Sequence, residues 1–424
     1  MNAQTAPLET PEALVESLAR KGRDAQRVLA GMSDADKTAA LVAAAAALRA
    51  DEKAILAANA RDLAAGEANG LTNAMLDRLK LDPARLAGIA DAVEQVARLK
   101  DPVGQVIDSS ERPNGLRLSR VRVPIGLIGI IYESRPNVTA DAAALCVRAG
   151  NAALLRGGSE AVHSNRAIEA AMARGLASAG VPEGAVQLVP TQDRAVVGAM
   201  LTAAGLIDMI VPRGGKSLVA RVQADARVPV LAHLDGICHT YIHSAADPAM
   251  ATALALNAKM RRTGICGATE TLLLDAQFPA SHDVVSALLD SGCELRGDAR
   301  ARALDPRILP ASANDWDTEY LDAILSVAVV DGLDAALAHI ARHSSHHTDA
   351  IVTGDDAAAE RFLNEVDSAI VMVNASTQFA DGGEFGLGAE IGIATGRLHA
   401  RGPVALEGLT TYKWQVRGSG QTRP

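Results

Sequence analysis

Aromatic residues are scarce in this 424-residue sequence, where phenylalanine, tryptophan and tyrosine together make up 2% of the chain. Few side chains are therefore available on which nucleic-acid bases could stack. The formal net charge of −9 points the same way, because proteins that bind nucleic acids usually present a basic surface to the phosphates. We expect no nucleic-acid partner.

Cysteine and long apolar runs are also rare. The four cysteines form no Cys-x-x-Cys pair, which fits a reducing compartment better than a disulfide framework. The first ten residues are polar and lack the basic start and apolar core of a secretory signal. The longest apolar run, Val121 to Tyr132, is too short to span a membrane. We expect a cytoplasmic protein without a membrane partner.

The N-terminal quarter has helical patterning. Apolar residues recur at helical spacing between residues 11 and 99, which predicts three or four helices, with Ser33 as the N-cap of the second. From Gly104 to Pro124 apolar and polar residues alternate about a Pro113-Asn-Gly turn. This pattern predicts a two-stranded hairpin, which should pair with another element or another subunit.

Short apolar strands then alternate with helices, first from residue 125 to 231 and again from 240 to 374. Strict alternation with buried strands predicts an α/β fold built from doubly wound parallel sheets. The change between the two series places a domain boundary near His233. Residues 410–416 are expected to form a last strand.

Cys266 lies in a glycine-flanked loop, Thr263-Gly-Ile-Cys-Gly, between a helical stretch and an apolar strand. A thiol placed where a rigid element ends can act as an exposed nucleophile, although a free cysteine is often a small buried hydrophobe. Lys259, Arg261 and Arg262 favour the nucleophile, because nearby positive charge lowers the pKa of a thiol.

The other three cysteines lack this basic setting. Cys146 lies in an apolar run and is expected in the core, whereas Cys238 and Cys293 fit either interpretation. Cys266 itself has no evident histidine partner nearby in the sequence, although a partner could be distant.

Two further motifs could bind ligands. The run Arg213-Gly-Gly-Lys-Ser217 follows a strand and opens a helix, so its amides and Lys216 could cradle a phosphate, or it could be a plain turn. It is not a P-loop, since position 210 is isoleucine, and no G-x-G-x-x-G follows a predicted strand. The run His343-Ser-Ser-His-His347 has no carboxylate or cysteine at ligand spacing, so we expect no metal.

Asn137 closes the run Tyr132-Glu-Ser-Arg-Pro-Asn, where a strand ends and a helix begins. Its amide could cap that helix. It could also donate a hydrogen bond to an oxyanion formed when a thiolate attacks a carbonyl.

Several long motifs in the same order resemble the aldehyde dehydrogenase superfamily over nearly the whole chain. They lie at residues 123–138, 155–161, 257–259, 263–266, 318–321, 385–392 and 398–403. Within the superfamily they look like the reductases that act on L-glutamyl 5-phosphate. The resemblance implies NADPH-dependent reduction of that compound to L-glutamate 5-semialdehyde, with release of phosphate, as a step of proline biosynthesis.

The resemblance also implies the domain organisation, an aldehyde-dehydrogenase-like α/β fold with two doubly wound parallel-sheet domains and a small β flap. Residues 1–104 and 123–232 would form the dinucleotide-binding domain, and residues 233–397 the catalytic domain with Cys266. Residues 105–122 and 398–416 would form the oligomerisation hairpin and flap. A homodimer or homotetramer is implied, with glutamate 5-kinase as a further partner that supplies the labile acyl phosphate.

By the same resemblance, Cys266 is the nucleophile that forms a thioester, and Asn137 with the Cys266 amide forms the oxyanion hole. Arg156 could pair with a 2′-phosphate, which favours NADPH over NADH. The residues matched to the cofactor site are Arg156, Ser159, Arg213, Gly214, Gly215 and Glu319. The substrate needs a cation for its α-carboxylate and an acceptor for its α-ammonium. The cation candidates are Arg135, Lys259, Arg261 and Arg262, and the acceptor candidate is Glu133.

One departure from the superfamily concerns water. Oxidising members carry a general-base glutamate where this chain has His233-Leu-Asp-Gly236. Because that base activates water against a thioester, its absence suits a site that protects its acyl-enzyme from hydrolysis. Two alternatives stay open: another aldehyde dehydrogenase or acylating reductase with a different small acyl substrate, and a catalytically dead homologue that acts as a scaffold.

Overall fold

A computed structural model describes residues 10–423. Helices α1 to α14 span Pro11–Leu29, Asp34–Ala50, Glu52–Ala68, Asn73–Leu79, Pro83–Arg98, Asn137–Arg148, Val162–Ser178, Ala195–Thr202, Lys216–Asp225, Pro248–Met260, Ser281–Asp290, Ala299–Arg302, Gly332–His343 and Asp356–Glu365. Strands β1 to β16 span Val106–Glu111, Arg117–Pro124, Leu127–Tyr132, Ala152–Arg156, Val186–Leu188, Met209–Arg213, Cys238–Ile242, Thr269–Asp275, Glu294–Gly297, Leu309–Pro310, Ile324–Val330, Thr348–Val352, Ile370–Val373, Gly392–Ala394, Gly402–Val404 and Thr410–Arg417.

The chain divides into two compact units. The first extends to Leu231 and takes in Leu387–Gly392 and the chain from Val404 onward, whereas the second comprises Ala232–Gly386 and Ile393–Pro403. The predicted boundaries differ near the C-terminus, since residues 387–392 were expected in the catalytic domain and residues 398–403 in the flap. Residues 1–9 of the predicted first domain lie outside the described residues.

Five helices, rather than three or four, occupy residues 11–98. Ser33 caps α2 as predicted, in a capping box with Asp36. The additional helix arises from further caps that sequence patterning alone did not separate. Thr72 accepts a hydrogen bond from the backbone at the start of α4, and Asp82 does the same at α5.

The alanine-rich helix α2 packs closely against α7. A Cβ built on Gly175 of α7 would lie 2.5 Å from the Cα of Ala44 and 2.7 Å from the carbonyl oxygen of Ala43. Only small residues allow two helix backbones to approach in this way. The alanine run is therefore a packing surface rather than a low-complexity segment.

The sheet of the first unit is parallel, in the order β5-β4-β3-β6. Leu127, Leu154 and Ile210 are fully buried in its core. The strand expected at the end of the first alternating series is wrong, because residues 228–231 form only an isolated bridge between Val230 and Ile210. Pro229 lacks the N–H that a longer ladder would need.

The sheet of the second unit contains seven parallel strands in the order β10-β9-β11-β8-β7-β12-β13. Leu272 and Leu274 of β8 pack into one hydrophobic cluster, and Leu273 between them packs into another. Since alternate residues of a strand point to opposite faces, both faces of this sheet are covered. The predicted α/β fold with doubly wound parallel sheets is confirmed.

The predicted hairpin is also confirmed. Strands β1 and β2 pair antiparallel about the Pro113-Asn-Gly turn, and the predicted last strand, β16, pairs with β2 to complete a three-stranded sheet. All six residues of β1 are exposed. The guanidinium of Arg120 lies 5.1 Å from the ring centre of Tyr412 and 5.7 Å from that of Trp414.

Within residues 10–423, no helix combines the length and the apolar character needed to cross a lipid bilayer.

The close contact between α2 and α7 yields a stability prediction. We expect Gly175→Ala to lower the free energy of unfolding by about 1–3 kcal/mol, the usual cost of overpacking, since the new methyl group meets backbone that cannot rotate away. Gly88→Ala in α5 is the matched control, because a Cβ there meets nothing within 4 Å. We expect it to be neutral or to stabilise by up to about 1 kcal/mol. Urea unfolding of both variants tests this, and equal effects would contradict the packing argument.

Candidate active site

Cys266 occupies the position that its sequence context predicts. Helix α10 ends at Met260, a loop carries the thiol, and β8 begins at Thr269. Cys266 is half-buried, whereas Cys146, Cys238 and Cys293 are all buried. Burial raises the pKa of the Cys146 and Cys293 thiols to about 12 and that of the Cys238 thiol well above its usual value. Cys146 is thus in the core as predicted, and Cys266 is the accessible cysteine among the described residues.

The parallel sheet of the second unit brings four distant segments to one edge. Cys266 precedes β8, His233 precedes β7, His347 directly precedes β12, and Glu319 precedes β11. These four strands are neighbours in the order β11-β8-β7-β12. Because neighbouring parallel strands begin at the same edge, residues that precede them meet there.

Two histidines lie beside the thiol. One ligand atom each of His233, Cys266 and His347 lies within 4.8 Å of the other two, and the two rings meet edge to face with centres 5.0 Å apart. Neither histidine was assigned to the thiol from sequence, where His233 marked the missing base and His347 ended an isolated histidine run. Both histidines could have been identified from the sheet order, because β7 and β12, the strands that follow them, are close to β8 in the sheet.

Hydrogen bonds fix the two imidazoles. His233 Nδ1 lies 2.8 Å from the carbonyl oxygen of Ile393, which can only accept, so this nitrogen carries a proton. His347 Nδ1 lies 2.9 Å from Thr348 Oγ1. Burial, helped by the neighbouring His233, lowers the pKa of His347 to about 3. His347 is therefore neutral at physiological pH.

Gly236 allows residues 233–236, where oxidising superfamily members carry the general base, to pack closely against the backbone of Cys266. A Cβ on Gly236 would lie 2.2 Å from the carbonyl oxygen of Cys266, so no larger residue fits without displacing this backbone. The Gly236 N–H donates to Glu319 Oε1 at 3.0 Å, and the Cys238 thiol donates to the Cys266 carbonyl at 3.1 Å. The thiol loop is thus held against residues 236–238, and Glu319 holds that segment in turn.

Lys259 requires a correction, because it was proposed from sequence as a substrate cation. Its side chain is fully buried, and Nζ lies 2.5 Å from Glu270 Oε2, which is also fully buried. Burial raises the pKa of Glu270 to about 7, although the charge and hydrogen bond of Lys259 act in the opposite direction. Lys259 is a partner of this buried carboxyl rather than a surface cation.

The two arginines beside Lys259 are exposed. Arg261 Nη1 lies 3.4 Å from Gln378 Oε1, and Gln378 Nε2 donates to the carbonyl oxygens of Ala258 and Arg262. Gln378 thus ties the end of α10 to the thiol loop and leaves both guanidiniums at the surface.

Asn137 belongs to the first unit, as the first residue of α6. The capping alternative is wrong, since the N-cap is Pro136 and no side chain caps this helix. Instead, Asn137 Nδ2 donates to Asp141 Oδ2 at 2.8 Å. Burial raises the pKa of Asp141 to about 6, against the opposing effects of Asn137 and Arg213.

A cavity of about 370 Å³ opens in the first unit beyond the carboxyl ends of β3 and β4. Its lining includes Arg156 and Ser159, which were predicted from sequence, and also Gln192, Arg194 and Arg221, which were not. The Arg156 guanidinium donates to the carbonyl oxygens of Gly157 and Gln192. Among the described residues, Arg156 Nε and Gln192 Oε1 are buried without a hydrogen-bond partner. The cavity therefore has the polar groups that a nucleotide would engage.

The predicted cofactor turn at Gly214 and Gly215 is occupied by a side chain. Glu133 Oε2 accepts a hydrogen bond from the Gly215 N–H at 2.8 Å, and a Cβ on Gly214 would lie 2.6 Å from the same carboxylate. The Glu133 carboxylate thus engages the start of α9, at the turn proposed for the cofactor. Arg213 is half-buried at the end of β6, and Arg135 is exposed.

Comparisons of the sequence and of the fold with known proteins all identify relatives in one family. The family model described as "Aldehyde dehydrogenase family" matches residues 5–299. The gamma-glutamyl phosphate reductase of Novosphingobium aromaticivorans is 76% identical over the full length of both chains. That of Rhizorhabdus wittichii is 70% identical, with 97% of this chain and 96% of the relative covered. The crystal structure of gamma-glutamyl phosphate reductase from Thermotoga maritima matches with a TM-score of 0.95 at 43% identity, and covers 97% of this chain and 100% of that one.

The buried pair of Lys259 and Glu270 yields the second prediction. We expect Lys259→Met to lower the free energy of unfolding by about 3–5 kcal/mol at pH 8, because it leaves a buried carboxylate without its partner. The double variant Lys259→Met/Glu270→Leu should recover most of this loss, since replacing both charges with apolar groups is often close to neutral. Denaturant unfolding of the two variants and the parent provides the measurement. A single variant as stable as the parent would show that Lys259 is not held as described.

Proposed function

The chain belongs to the aldehyde dehydrogenase family, and we propose that it reduces L-glutamyl 5-phosphate to L-glutamate 5-semialdehyde with NADPH, releasing phosphate. This reaction is that of a gamma-glutamyl phosphate reductase and serves proline biosynthesis. The observation that carries the proposal is the 76% identity, over the full length of both chains, to a relative of that name. The accessible thiol between two histidines supports the same chemistry.

His233 is suited to take the proton of the Cys266 thiol. Its Nδ1 proton is held by the Ile393 carbonyl, so in the neutral ring Nε2 carries the lone pair that can accept a proton. His347 is neutral and can stabilise the site only as a hydrogen-bonding group. We therefore assign the base to His233, and the thiolate of Cys266 to the attack on the C5 carbonyl carbon.

The acyl transfer follows from this assignment. As the S–C bond forms, the C–O bond to phosphate breaks with its electron pair on the phosphate oxygen, and that oxygen takes the proton held by His233. A thioester on Cys266 results. NADPH, when bound, supplies the hydride that reduces the thioester carbon. The Cys266 sulfur then leaves with the electron pair of the C–S bond, and the aldehyde is released.

Asn137 and the backbone N–H of Cys266 are the proposed donors to the oxyanion. The Asn137 amide has two N–H groups, and one of them donates to Asp141. The other can donate to the developing oxygen charge, with the amide orientation held by the buried Asp141 carboxyl.

Protection of the thioester from water is a further part of the proposal. The position of the general-base glutamate is occupied by His233, and the nearby Glu319 carboxylate accepts the Gly236 N–H. The carboxylate that activates water in oxidising members is therefore absent, and we assign the His233 imidazole to proton exchange between the Cys266 thiol and phosphate rather than to water. Phosphate rather than water is the expected acceptor of the acyl group in the reverse direction.

NADPH, rather than NADH, is the proposed cofactor, with its 2′-phosphate in the cavity of the first unit. Arg156 is committed to two backbone carbonyls, and burial lowers the pKa of its guanidinium. Arg194 and Arg221 are exposed at the same cavity, and Arg221 is already paired with Asp225. We therefore assign the 2′-phosphate contact to Arg194, with Ser159 beside it. Glu319 is proposed to hold the nicotinamide ribose.

For the substrate, Arg135, Arg261 and Arg262 are the proposed partners of the α-carboxylate, since all three are exposed.

The antiparallel sheet of β1, β2 and β16 supports assembly into a homodimer or homotetramer. Its two edge strands expose five large apolar side chains, Val106 and Ile107 on β1 and Tyr412, Trp414 and Val416 on β16. We place the enzyme in the cytoplasm, with glutamate 5-kinase as the partner that supplies the acyl phosphate.

The reverse reaction tests the proposed function. Glutamate 5-semialdehyde, phosphate and NADP at alkaline pH should give cofactor reduction, and Cys266→Ala should remove it, since the variant lacks the nucleophile. Omission of phosphate should also stop turnover. Turnover that needs no phosphate would contradict the protected thioester, and no turnover at all would favour a different acyl substrate or a scaffold role.

The cofactor assignment has its own test. We expect Arg194→Gln to raise the KM for NADPH about tenfold or more, the effect of losing one hydrogen bond to a charged group, with kcat little changed. The KM for NADH should not change, because NADH lacks the 2′-phosphate, and this serves as the internal control. Equal effects on both cofactors would show that Arg194 does not read the 2′-phosphate.

A further inference from the structure

Cys266, His233 and His347 together form a ligand set for a metal ion, independently of the acyl chemistry. We propose that these three side chains bind a thiophilic divalent cation, with Zn²⁺ as the main candidate, and that the bound ion lowers the reactivity of the Cys266 thiol. One donor atom of each residue lies within 4.8 Å of the other two. The sequence did not indicate this set, because its members are separated by 33 and 81 positions.

The donor types select the class of ion. One sulfur and two imidazole nitrogens suit Zn²⁺ and Co²⁺, whereas Mg²⁺ and Ca²⁺ require oxygen ligands. Three protein ligands also leave the fourth tetrahedral position open. With bonds of about 2.3 Å to sulfur and about 2.0 Å to nitrogen, the donor atoms would lie about 3.5 Å apart, so each pair of donors needs to close by at most about 1.3 Å.

The surroundings hold both imidazoles in the state that a metal requires. His233 donates its Nδ1 proton to the Ile393 carbonyl at 2.8 Å, which leaves Nε2 unprotonated. A metal-binding histidine commonly donates its other N–H to a backbone carbonyl in this way.

His347 supplies the second, independent observation. It is fully buried, its Nδ1 is engaged by Thr348 Oγ1 at 2.9 Å, and its Nε2 has no hydrogen-bond partner among residues 10–423. A buried polar nitrogen without a partner is costly unless a ligand engages it. A cation shared with His233 and Cys266 would satisfy this atom.

Metal binding would have a chemical consequence for the thiol. Coordination to Zn²⁺ draws electron density from the sulfur, so it should slow both attack on an acyl phosphate and alkylation of the thiol. Release of the ion by a chelator would restore the nucleophile. The metal site itself does not depend on the proposed function, since binding and alkylation can be measured without any turnover.

The test uses the full chain, freed of metal with a chelator, and CoCl₂ in phosphate-free buffer. We expect one Co²⁺ per chain, with the intense visible bands of a tetrahedral ion and a sulfur-to-metal charge-transfer band. ZnCl₂ should displace it. Cys266→Ser should lose the charge-transfer band, and His347→Gln and His233→Asn should each weaken Co²⁺ binding at least tenfold. Thermal unfolding of each variant confirms that it is folded.

His346→Asn is the matched control from the same histidine run. His346 is exposed, its Nδ1 lies 2.8 Å from the Asp367 carbonyl, and its positive φ of 60° is one that asparagine tolerates. This variant should bind Co²⁺ like the parent. Zn²⁺ should also slow alkylation of Cys266 by iodoacetamide in the parent and in His346→Asn, and much less in His347→Gln. Equal protection in all three proteins, or Co²⁺ spectra of a six-coordinate ion, would overturn the proposal.

Discussion

The register of the parallel strands in the second unit is the constraint on which the candidate site depends. Cys238 of β7 lies opposite Thr269 of β8, and His239 of β7 lies opposite Asp349 of β12. Each loop that enters these strands is therefore delivered to the same edge. A shift of one residue in β8 would move Cys266 along that edge and turn the side chains of β8 to the opposite face. The geometry of the thiol follows from strand pairing more than from any contact of the thiol itself.

Buried polar groups hold this register. Asp349 is fully buried and accepts hydrogen bonds from the backbone and ring of His239 and from the hydroxyls of Ser344 and Ser368. Burial acts to raise its pKa, but these hydrogen bonds and the adjacent imidazole outweigh burial and lower it. The carboxylate thus ties β7 to β12 close to His347. The buried pair of Lys259 and Glu270 ties α10 to β8 on the other side of the thiol loop.

The sequence predicted what local pattern determines. The strand and helix alternation, the hairpin, the loop position of Cys266 and the core position of Cys146 all depend on neighbours in the chain. Contacts that depend on the order of strands in the sheet could not be predicted from local sequence patterns. His233 and His347 reach Cys266 only because β7 separates β8 from β12. Lys259 was misassigned for a related reason, since its pairing with Glu270 depends on how its side chain packs and not on charge alone.

The two units use opposite edges of their sheets, and this difference explains why the thiol needs imidazoles. The cavity of the first unit opens at the carboxyl ends of β3 and β4, as in other doubly wound sheets. Cys266 instead follows the C-terminal end of α10 and precedes β8. Many reactive thiols lie at helix N-termini, where the helix dipole favours a negative charge. A helix C-terminus disfavours such a charge, so a thiolate here requires a proton acceptor and compensating groups close by. In the proposed mechanism His233 meets that need, and the same combination of one sulfur with two imidazoles is the proposed site for a thiophilic cation.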